Sequence, residues 1–229
     1  MRRKLDEYGL IKGRFYGFTA ALPCGPDKVE KIQVEKIKDY LSELNLMTYD
    51  YHGAWDALTG INAPMFDQGW GDKTKRWSVH GCVNTYVERG VSLHQMNIGL
   101  PFYGRSFSHA TGMKQFHGGA DDVNFHLDEG SPQYFNIVNE LKGVEGYADS
   151  GMTTYRHEKT QTQFAVFNGG NRGLVSYDDP RAICDKVEYA NERGMHGCEY
   201  YFVTECAIAF AFDINLPYIL HFTIFTPTY

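Results

Sequence analysis

Apolar runs alternate with amphipathic segments along most of the chain. Four runs rich in apolar and aromatic side chains predict β-strands, at residues 14–23, 44–51, 96–103 and 196–203. Between the runs, apolar side chains recur at helical spacing, most regularly over residues 77–89. A repeated strand–helix order predicts a parallel sheet with right-handed crossovers. The pattern therefore favours an α/β fold.

The predicted helices have recognisable ends. An apolar stripe predicts one helix over residues 29–44, and the helix over 77–89 ends before Gly90. Ser131 is expected to cap a helix over residues 132–142, and Asp179 to cap another that starts at Pro180. These helices fill the crossovers that a parallel sheet requires.

One long segment breaks this rhythm. Residues 106–173 are too long for a single crossover, and the alternating patches at 152–156 and 163–167 predict short strands. We expect a small α+β insertion there. Because four strands are half of an eight-stranded (β/α)8 barrel, the chain is predicted to be a partial TIM barrel, about strands five to eight. The predicted division is residues 1–105 and 174–204 for the partial barrel, 106–173 for the insertion, and 205–229 for an atypical tail.

Composition narrows the class of partner. The chain has 229 residues, enough for one sizeable domain, and its net charge of -6 argues against a nucleic-acid partner. Aromatic residues make up 15% and include 16 tyrosines, whose rings can stack on sugars while their hydroxyls hydrogen-bond. Aromatic-rich cores also occur without ligands, so composition leaves both readings open. Charged and polar breaks in the apolar tail argue against a membrane span, and the first ten residues do not resemble a signal peptide.

The cysteines and histidines indicate no metal or cofactor site. The five cysteines are widely spaced and form no CxxC pair. One or two disulfides and buried free thiols both remain open. We therefore predict no metal and no cofactor.

Polar chemistry is concentrated at the predicted strand ends. Tyr49, Asp50 and Tyr51 end one strand, Tyr103 and Arg105 end the next, and Tyr201 lies in the last. The carboxyl ends of barrel strands converge on one pocket. A carboxylate among tyrosine hydroxyls, with an arginine nearby, suits a neutral polar ligand such as a sugar. The competing interpretation, a merely structural buried ion pair between Asp50 and Arg105, has about equal weight at this point.

Three motifs carry a resemblance to a known family. They are MTYDYHGAWD at residues 47–56, IGLPFYGRSF at 98–107 and LVSYDDP at 174–180. In this order they resemble glycoside hydrolase family 18, the chitinases and chitinase-like proteins, over the strand-five to strand-eight half of the barrel. The resemblance implies an extracellular protein that binds chitin or N-acetylglucosamine oligosaccharides.

The resemblance also implies roles for individual residues. Tyr49 would hydrogen-bond the N-acetyl carbonyl at the cleavage point, with Asp50 and Met47 lining the same pocket. Tyr51 is counted among the substrate-binding residues. Tyr103 and Arg105 would hold a neighbouring sugar hydroxyl, and Trp55 would stack on the leaving-group side. Tyr201 would take the position of the tryptophan that floors the pocket in the family.

The family's reaction is substrate-assisted and retaining, and this chain lacks one part of it. The substrate's N-acetyl oxygen attacks the anomeric carbon while a glutamate protonates the leaving oxygen. That glutamate ends a DxxDxDxE run in the family, and no such run occurs here. Glu7, Glu30 and Glu35 fall in predicted helices, where a solvated face is the simpler interpretation. Three hypotheses follow: part of a hydrolase that is inactive alone, a non-catalytic carbohydrate-binding protein, or a fragment that folds poorly because a half barrel leaves open edges.

Overall fold

The computed structural model describes residues 1–69, 76–143, 151–167, 169 and 172–201, and of residues 199–201 it describes the backbone. The helices are α1 (Arg2–Lys12), α2 (Pro26–Val29), α3 (Val34–Ile37), α4 (Val79–Glu88), α5 (Tyr134–Lys142) and α6 (Pro180–Glu192). Short 3-10 helices lie at Lys38–Tyr40, Leu93–Gln95 and His126–Asp128. The strands are β1 (Thr19–Pro23), β2 (Glu43–Met47), β3 (Met96–Pro101), β4 (Arg105–Ser108), β5 (Met152–His157), β6 (Thr162–Phe167), β7 (Gly173–Tyr177) and β8 (Gly197–Tyr201).

Four parallel strands form the main sheet, in the order β1-β2-β3-β8. Pro23 pairs with Met47 at the ends of β1 and β2, and Pro101 pairs with Tyr201 at the ends of β3 and β8. The carboxyl ends of all four strands therefore lie along one edge. The sheet is open within the described residues, which confirms the predicted α/β class and the partial barrel.

The two faces of this sheet differ in chemistry. One face carries buried Leu44, Leu46 and Ile98, which pack into the main hydrophobic core together with helix residues such as Val83 and Val187. On the other face, the Asn97 side-chain amide donates to Glu43 and to Asn45, at 3.1 Å and 2.9 Å. Asn45 and Asn97 are both buried, so this face of the sheet carries a hydrogen-bonded polar cluster in place of the aliphatic side chains on the first face.

The insertion and its flanks build a second, antiparallel sheet. Its order is β4-β7-β6-β5, and a separate core packs α5 against it, with Ile137, Phe167 and Val175 among its buried members. Strand β7, which leads into Asp178, thus pairs with β6 and β4 rather than with the parallel strands. The predicted division of the chain into domains stays a prediction, with residues 173–177 belonging to the antiparallel sheet.

Several predictions about element ends and caps were wrong. The strands predicted at 44–51 and 96–103 end at Met47 and Pro101, and the helix predicted at 77–89 begins at Val79. The predicted strand at 14–23 begins only at Thr19. The helix predicted at 29–44 is split into α2, α3 and a 3-10 turn. Arg89 Nη1 donates hydrogen bonds to the carbonyls of Val29 and Ile32, at 3.2 Å and 3.0 Å, where a continuous helix would need these carbonyls for its own hydrogen bonds. The N-cap of α5 is Gln133 rather than Ser131.

A disulfide joins the end of the first parallel strand to a helix. Cys24 follows β1 and bonds to Cys82 in α4, across 58 residues of sequence. Cys184 and Cys198 are free thiols, and Cys206 lies outside the described residues. This pairing resolves the open question about the cysteines in favour of one disulfide among the described residues. In the part of the chain that the structure describes, no helix is both long and apolar enough to cross a bilayer.

Candidate functional site

The carboxylate of Asp50 is the centre of the site. Its Oδ1 accepts hydrogen bonds from the Tyr103 hydroxyl and from Arg105 Nε, both at 2.8 Å, and Arg105 Nη2 lies 2.8 Å away. The Asp50 side chain remains 37% exposed and that of Arg105 24%. The predicted strand tips therefore do meet, and because both groups face solvent the pair is not a sealed core ion pair.

The backbone around Asp50 is held in an unusual conformation. Asp50 has a positive φ of 58°, in the left-handed region, which short polar side chains tolerate better than most. Its N–H donates to the Asn62 side-chain oxygen at 3.0 Å, and the Tyr51 N–H donates to the Asn62 carbonyl at 3.0 Å. Asn62 is buried and lies in the long loop after β2. Sequence reasoning missed it, since nothing but its place in that loop marks it.

Tyr49 lies against the neighbouring strand. A Cβ on Gly99 would come within 2.6 Å of the Tyr49 ring and 2.8 Å of the Leu46 carbonyl oxygen, so glycine is required in β3 at that point. The Tyr49 ring also meets the Tyr103 ring edge to face, with centroids 6.0 Å apart. The close approach to Gly99 keeps Tyr49 beside Asp50 at the carboxyl edge of the sheet.

An open cleft with a volume of about 120 Å³ lies beside these residues. Its lining includes the four predicted residues of the MTYDY motif and five that the predictions did not assign to the site: Met47, Tyr49, Asp50 and Tyr51, with Pro23, Cys24, Gly25, Lys28 and Trp77. Asp50 is the one carboxylate among the described lining residues. Aromatic character was the only sequence signal for Trp77, because the sequence placed it within the helix predicted over residues 77–89. In the structure α4 begins at Val79, and the Trp77 ring lies at the cleft.

Tyr51 is placed differently from the other predicted residues. Its side chain is buried, and its hydroxyl donates to the Ser78 carbonyl at 2.8 Å. Ser78 is the N-cap of α4, and its side chain accepts the Gly81 N–H. The Tyr51 ring thus lines the cleft while its hydroxyl ties the site to a helix end, and burial raises the pKa of Tyr51 well above its usual value.

Trp55 and Ser131 complete the surroundings of Arg105. The guanidinium carbon lies 5.1 Å from the centroid of the Trp55 ring, within cation–π range. Arg105 Nη1 donates to the Ser131 hydroxyl at 2.8 Å, so Ser131 serves the site instead of capping α5. The Trp55 side chain is 59% exposed, which leaves most of the ring open to a ligand.

Burial and charge set the protonation states of the two groups that hold Asp50. Burial, followed by the Asp50 charge and the hydrogen bond to it, raises the pKa of Tyr103 well above its usual value. Burial on its own lowers the pKa of Arg105, but the hydrogen bond and charge of Asp50 raise it overall. Tyr103 therefore stays a hydroxyl donor and Arg105 a cation across the physiological pH range. Among the described residues, the site presents fixed donors around a single carboxylate, that of Asp50.

The remaining predicted residues lie elsewhere or beyond description. The backbone of Tyr201 pairs beside Pro101 at the carboxyl end of β8, but its side chain is outside the described residues. Glu7, Glu30 and Glu35 are exposed, which confirms the solvated-face interpretation. None of these three glutamates lines the cleft.

Comparison with known proteins finds a family and several relatives for this chain. The family model described as "Glycosyl hydrolases family 18" matches residues 1–204. Chitinase 1 of Aphanocladium album is 26% identical over 203 residues, which cover 88% of this chain and 45% of that protein. For Chitinase A1 of Niallia circulans the identity is 25%, over 88% of this chain and 29% of that protein.

The fold is shared with solved chitinase structures. The immunomodulatory active chitinase TsES1 from Trichuris suis superposes with a TM-score of 0.76 at 26% identity, over 87% of this chain and 54% of that one. The chain thus spans about half, or less, of the length of these relatives. Its four parallel strands and its antiparallel insertion correspond to part of a family barrel, which confirms the resemblance read from the three motifs. This chain belongs to glycosyl hydrolases family 18.

Proposed function

We propose that this chain provides the chitin-binding half of a family 18 catalytic domain. The observation that carries the proposal is the convergence of Tyr103 and Arg105 on Asp50 beside Tyr49, at the edge where the parallel strands end. The names of the relatives, both chitinases, supply the substrate class: polymers of β-1,4-linked N-acetylglucosamine. A neutral sugar needs fixed hydrogen-bond donors and aromatic faces, and these residues provide both.

Each residue has a task in this proposal. The Tyr49 hydroxyl donates to the acetamido carbonyl of the sugar at the cleavage point, which polarises that group and fixes its orientation. Asp50, held in place by Tyr103 and Arg105, accepts from the acetamido N–H and keeps its oxygen aimed at the anomeric carbon. Met47 supplies an apolar wall, and Trp55 stacks on the sugar of the leaving-group side.

In a complete parent protein this arrangement supports substrate-assisted hydrolysis with retained configuration. The acetamido oxygen attacks the anomeric carbon, an external carboxylic acid protonates the departing oxygen, and water later opens the cyclic intermediate. Asp50 is the one carboxylate in the described cleft and is already committed to Tyr103 and Arg105. Because general acid catalysis contributes about 10²–10⁴-fold, we propose that the isolated chain binds chitin but does not hydrolyse it.

A second candidate function follows from the same missing acid. A non-catalytic chitin-binding protein would need the donors and aromatic faces of this cleft but no proton donor. The two candidates differ in the parent gene: the hydrolase requires a DxxDxDxE run on an additional barrel strand, and the binding protein does not. Both imply an extracellular location, which the Cys24–Cys82 disulfide supports because such bonds persist in oxidising compartments.

The experiment is a binding measurement with matched variants. The full chain is titrated with N-acetylglucosamine oligosaccharides by calorimetry and tested for retention on chitin beads. We expect binding by the wild type, weaker binding by Tyr49→Phe and Trp55→Ala, and no change in Tyr40→Ala, whose exposed ring lies in the turn before β2, at the opposite end of the sheet. Absence of binding by a folded wild-type chain would overturn the proposal.

Hydrolysis is measured in parallel on a fluorogenic N-acetylglucosamine oligomer. We expect no turnover above the Tyr49→Phe background. Turnover by the wild type that disappears in Tyr49→Phe would contradict the inactivity of the isolated chain while leaving the binding assignment intact.

A further inference from the structure

Phe116 has an exposed side chain that no structural role explains. It is 80% exposed and lies on the insertion, in the loop that follows β4. A ring left largely in water contributes little to a hydrophobic core. Single exposed apolar residues are common, so exposure alone carries no assignment. A second observation is therefore needed, and the hydrogen bonds that hold the backbone around Phe116 provide it.

The loop that carries Phe116 is fastened to the loop that carries Trp55. Phe116 forms an antiparallel β-bridge with Leu58. Next to it, the Gln115 N–H donates to the Thr59 hydroxyl at 3.0 Å, and the Thr59 N–H donates to the Gln115 carbonyl at 2.8 Å. These bonds on both strands of the bridge fix the backbone position of Phe116 relative to residues 58 and 59.

A histidine forms a second hydrogen bond between the loop of Phe116 and the loop of Trp55. His117 Nδ1 accepts the Gly119 N–H at 3.0 Å, so its proton is on Nε2, which donates to the Asp56 carbonyl at 2.9 Å. Asp56 is adjacent to Trp55. Lys114, two residues before Phe116, adopts a left-handed φ of 61°, a conformation that persists only where the surroundings impose it. The loop is thus held by hydrogen bonds on both sides of Phe116, and the apolar side chain that it exposes there is a phenyl ring.

We propose that Phe116 is a second stacking platform for the polysaccharide, beyond Trp55 on the insertion side of the cleft. This inference rests on the proposed function, because it extends the same binding groove. Trp55 lies against Arg105 at the site, and the Asp56–His117 hydrogen bond leads directly from Trp55 to Phe116. The ligand is a chain of β-1,4-linked N-acetylglucosamine long enough to pass both rings. The flat apolar face of each sugar ring stacks on the phenyl group, which needs no polar partner.

If Phe116 is a stacking platform, its removal should affect the binding of long oligosaccharides but not of short ones. A disaccharide that occupies the site at Asp50 does not reach Phe116, whereas an insoluble polymer does. We therefore expect Phe116→Ala to weaken binding to long chains by roughly tenfold, equivalent to about 1.4 kcal/mol, with little change for the disaccharide. Phe116→Trp should restore binding, because it retains an exposed aromatic face on the same backbone.

The experiment compares four full-length chains: wild type, Phe116→Ala, Phe116→Trp and the matched surface control Tyr40→Ala, whose exposed fraction is 60%. Each is titrated with the β-1,4-linked N-acetylglucosamine disaccharide, with the hexasaccharide, and by adsorption to chitin particles. Circular dichroism and thermal melting establish that the four chains are equally folded. Loss confined to the hexasaccharide and the particles, with rescue by Phe116→Trp, supports the proposal.

The other outcomes are distinguishable. Equal polymer binding by wild type and Phe116→Ala overturns this inference and leaves the proposed function standing. Equal loss of disaccharide and polymer binding in a folded Phe116→Ala also overturns it, because the ring would then belong to the site at Asp50. If the wild type binds neither the oligosaccharides nor chitin, both the proposed function and this inference are wrong. A change in oligomeric mass instead of carbohydrate affinity assigns the ring to a protein contact and contradicts the proposal.

Discussion

The Asn62 side-chain oxygen accepts the backbone N–H of Asp50 at 3.0 Å, although neither residue belongs to a strand. The backbone of Asn62 accepts from Tyr51 on one side and donates to the Ser176 hydroxyl at 3.0 Å on the other. Ser176 lies in β7 of the antiparallel sheet. One buried asparagine thus connects the segment after β2 to the antiparallel sheet and holds the left-handed conformation of Asp50.

Removal of this side chain should loosen the site. Asn62→Ala leaves the N–H of Asp50 without its acceptor, and a lost partner of this kind costs about 1–3 kcal/mol. We expect a lower free energy of unfolding in urea and weaker oligosaccharide binding. The control is Asn191→Ala, the same substitution at an exposed position of α6. Unchanged stability and affinity in Asn62→Ala would show that Asp50 holds its conformation without help.

Gly99 should tolerate no side chain. Alanine there would place its Cβ 2.6 Å from the Tyr49 ring and 2.8 Å from the Leu46 carbonyl oxygen, so one of them must move. Overpacking of this kind costs about 1–3 kcal/mol of folding free energy. Because Tyr49 is displaced from the site, the folded fraction of Gly99→Ala should also bind the sugar more weakly than the wild type does. The control is Gly17→Ala, where nothing lies within 4 Å of the added methyl group. Both variants are compared by urea unfolding and calorimetric titration, and wild-type affinity in Gly99→Ala would refute the placement of Tyr49.

Lys186 and Asp178 form a buried ion pair between α6 and the end of β7, with Lys186 Nζ also donating to the Ala63 carbonyl at 2.7 Å. Burial raises the pKa of Asp178 and lowers the pKa of Lys186, so desolvation outweighs their attraction. Lys186→Met alone should cost about 3–5 kcal/mol, because it leaves a buried carboxylate unpaired. The double variant Lys186→Met with Asp178→Leu should recover most of that loss. A double variant as unstable as the single one, by urea unfolding, would contradict this account.

The parts of the site that sequence could predict are those at strand ends. Tyr49, Asp50, Tyr103 and Arg105 follow two apolar runs, and parallel strands bring such tips to one edge whatever the crossovers do. The convergence of these residues, and an Asp50–Arg105 ion pair as one interpretation of it, could therefore be predicted from the sequence, whereas the hydrogen bond from Tyr103 to Asp50 was not predicted. Whether the pair was sealed or open depended on side-chain exposure, which local sequence does not encode.

The parts that escaped prediction depend on contacts between distant segments. Asn62 lies in a loop without periodicity, and Ser131 carries a capping signal that Arg105 overrides by taking its hydroxyl. The 29–44 segment has a helical apolar stripe, but Arg89, some 60 residues away, binds its carbonyls and ends the first helix. Tertiary hydrogen bonds decided each case against a locally reasonable propensity.

The Cys24–Cys82 disulfide should contribute substantially to stability. It closes a loop of 58 residues between β1 and α4, for which the chain-entropy estimate is about 4 kcal/mol. Cys24→Ala with Cys82→Ala should lower the free energy of unfolding by a figure of that order, and dithiothreitol should have the same effect on the wild type. Cys184→Ala, which removes a free thiol, is the control. Insensitivity of the wild-type unfolding curve to dithiothreitol would mean that the bond does not form in solution.

A histidine between α4 and α6 makes the packing of these helices sensitive to acid. His80 Nε2 accepts the Asn84 side-chain amide at 2.9 Å, and His80 Nδ1 lies 3.1 Å from the Tyr189 hydroxyl. Arg193 donates to Asn84 and to Tyr189 at 2.9 Å and 2.7 Å, so a cation already occupies this contact. Burial, and then the charge of Arg193, lowers the pKa of His80 below 6.5.

Stability should therefore fall as the pH drops below about 6.5. Between the folded and unfolded pKa values of His80 the unfolded chain binds more protons, so the free energy of unfolding decreases as the pH falls through that window and is unaffected by this group above it. Burial and the neighbouring Lys159 also lower the pKa of His157, which adds a slope of the same sign. His80→Gln removes only the first contribution, so the difference between the two proteins in urea unfolding from pH 7.5 to pH 5 isolates it. The wild type should lose more stability than His80→Gln over that range, and parallel curves would show that His80 binds its proton equally well in the folded and unfolded chains.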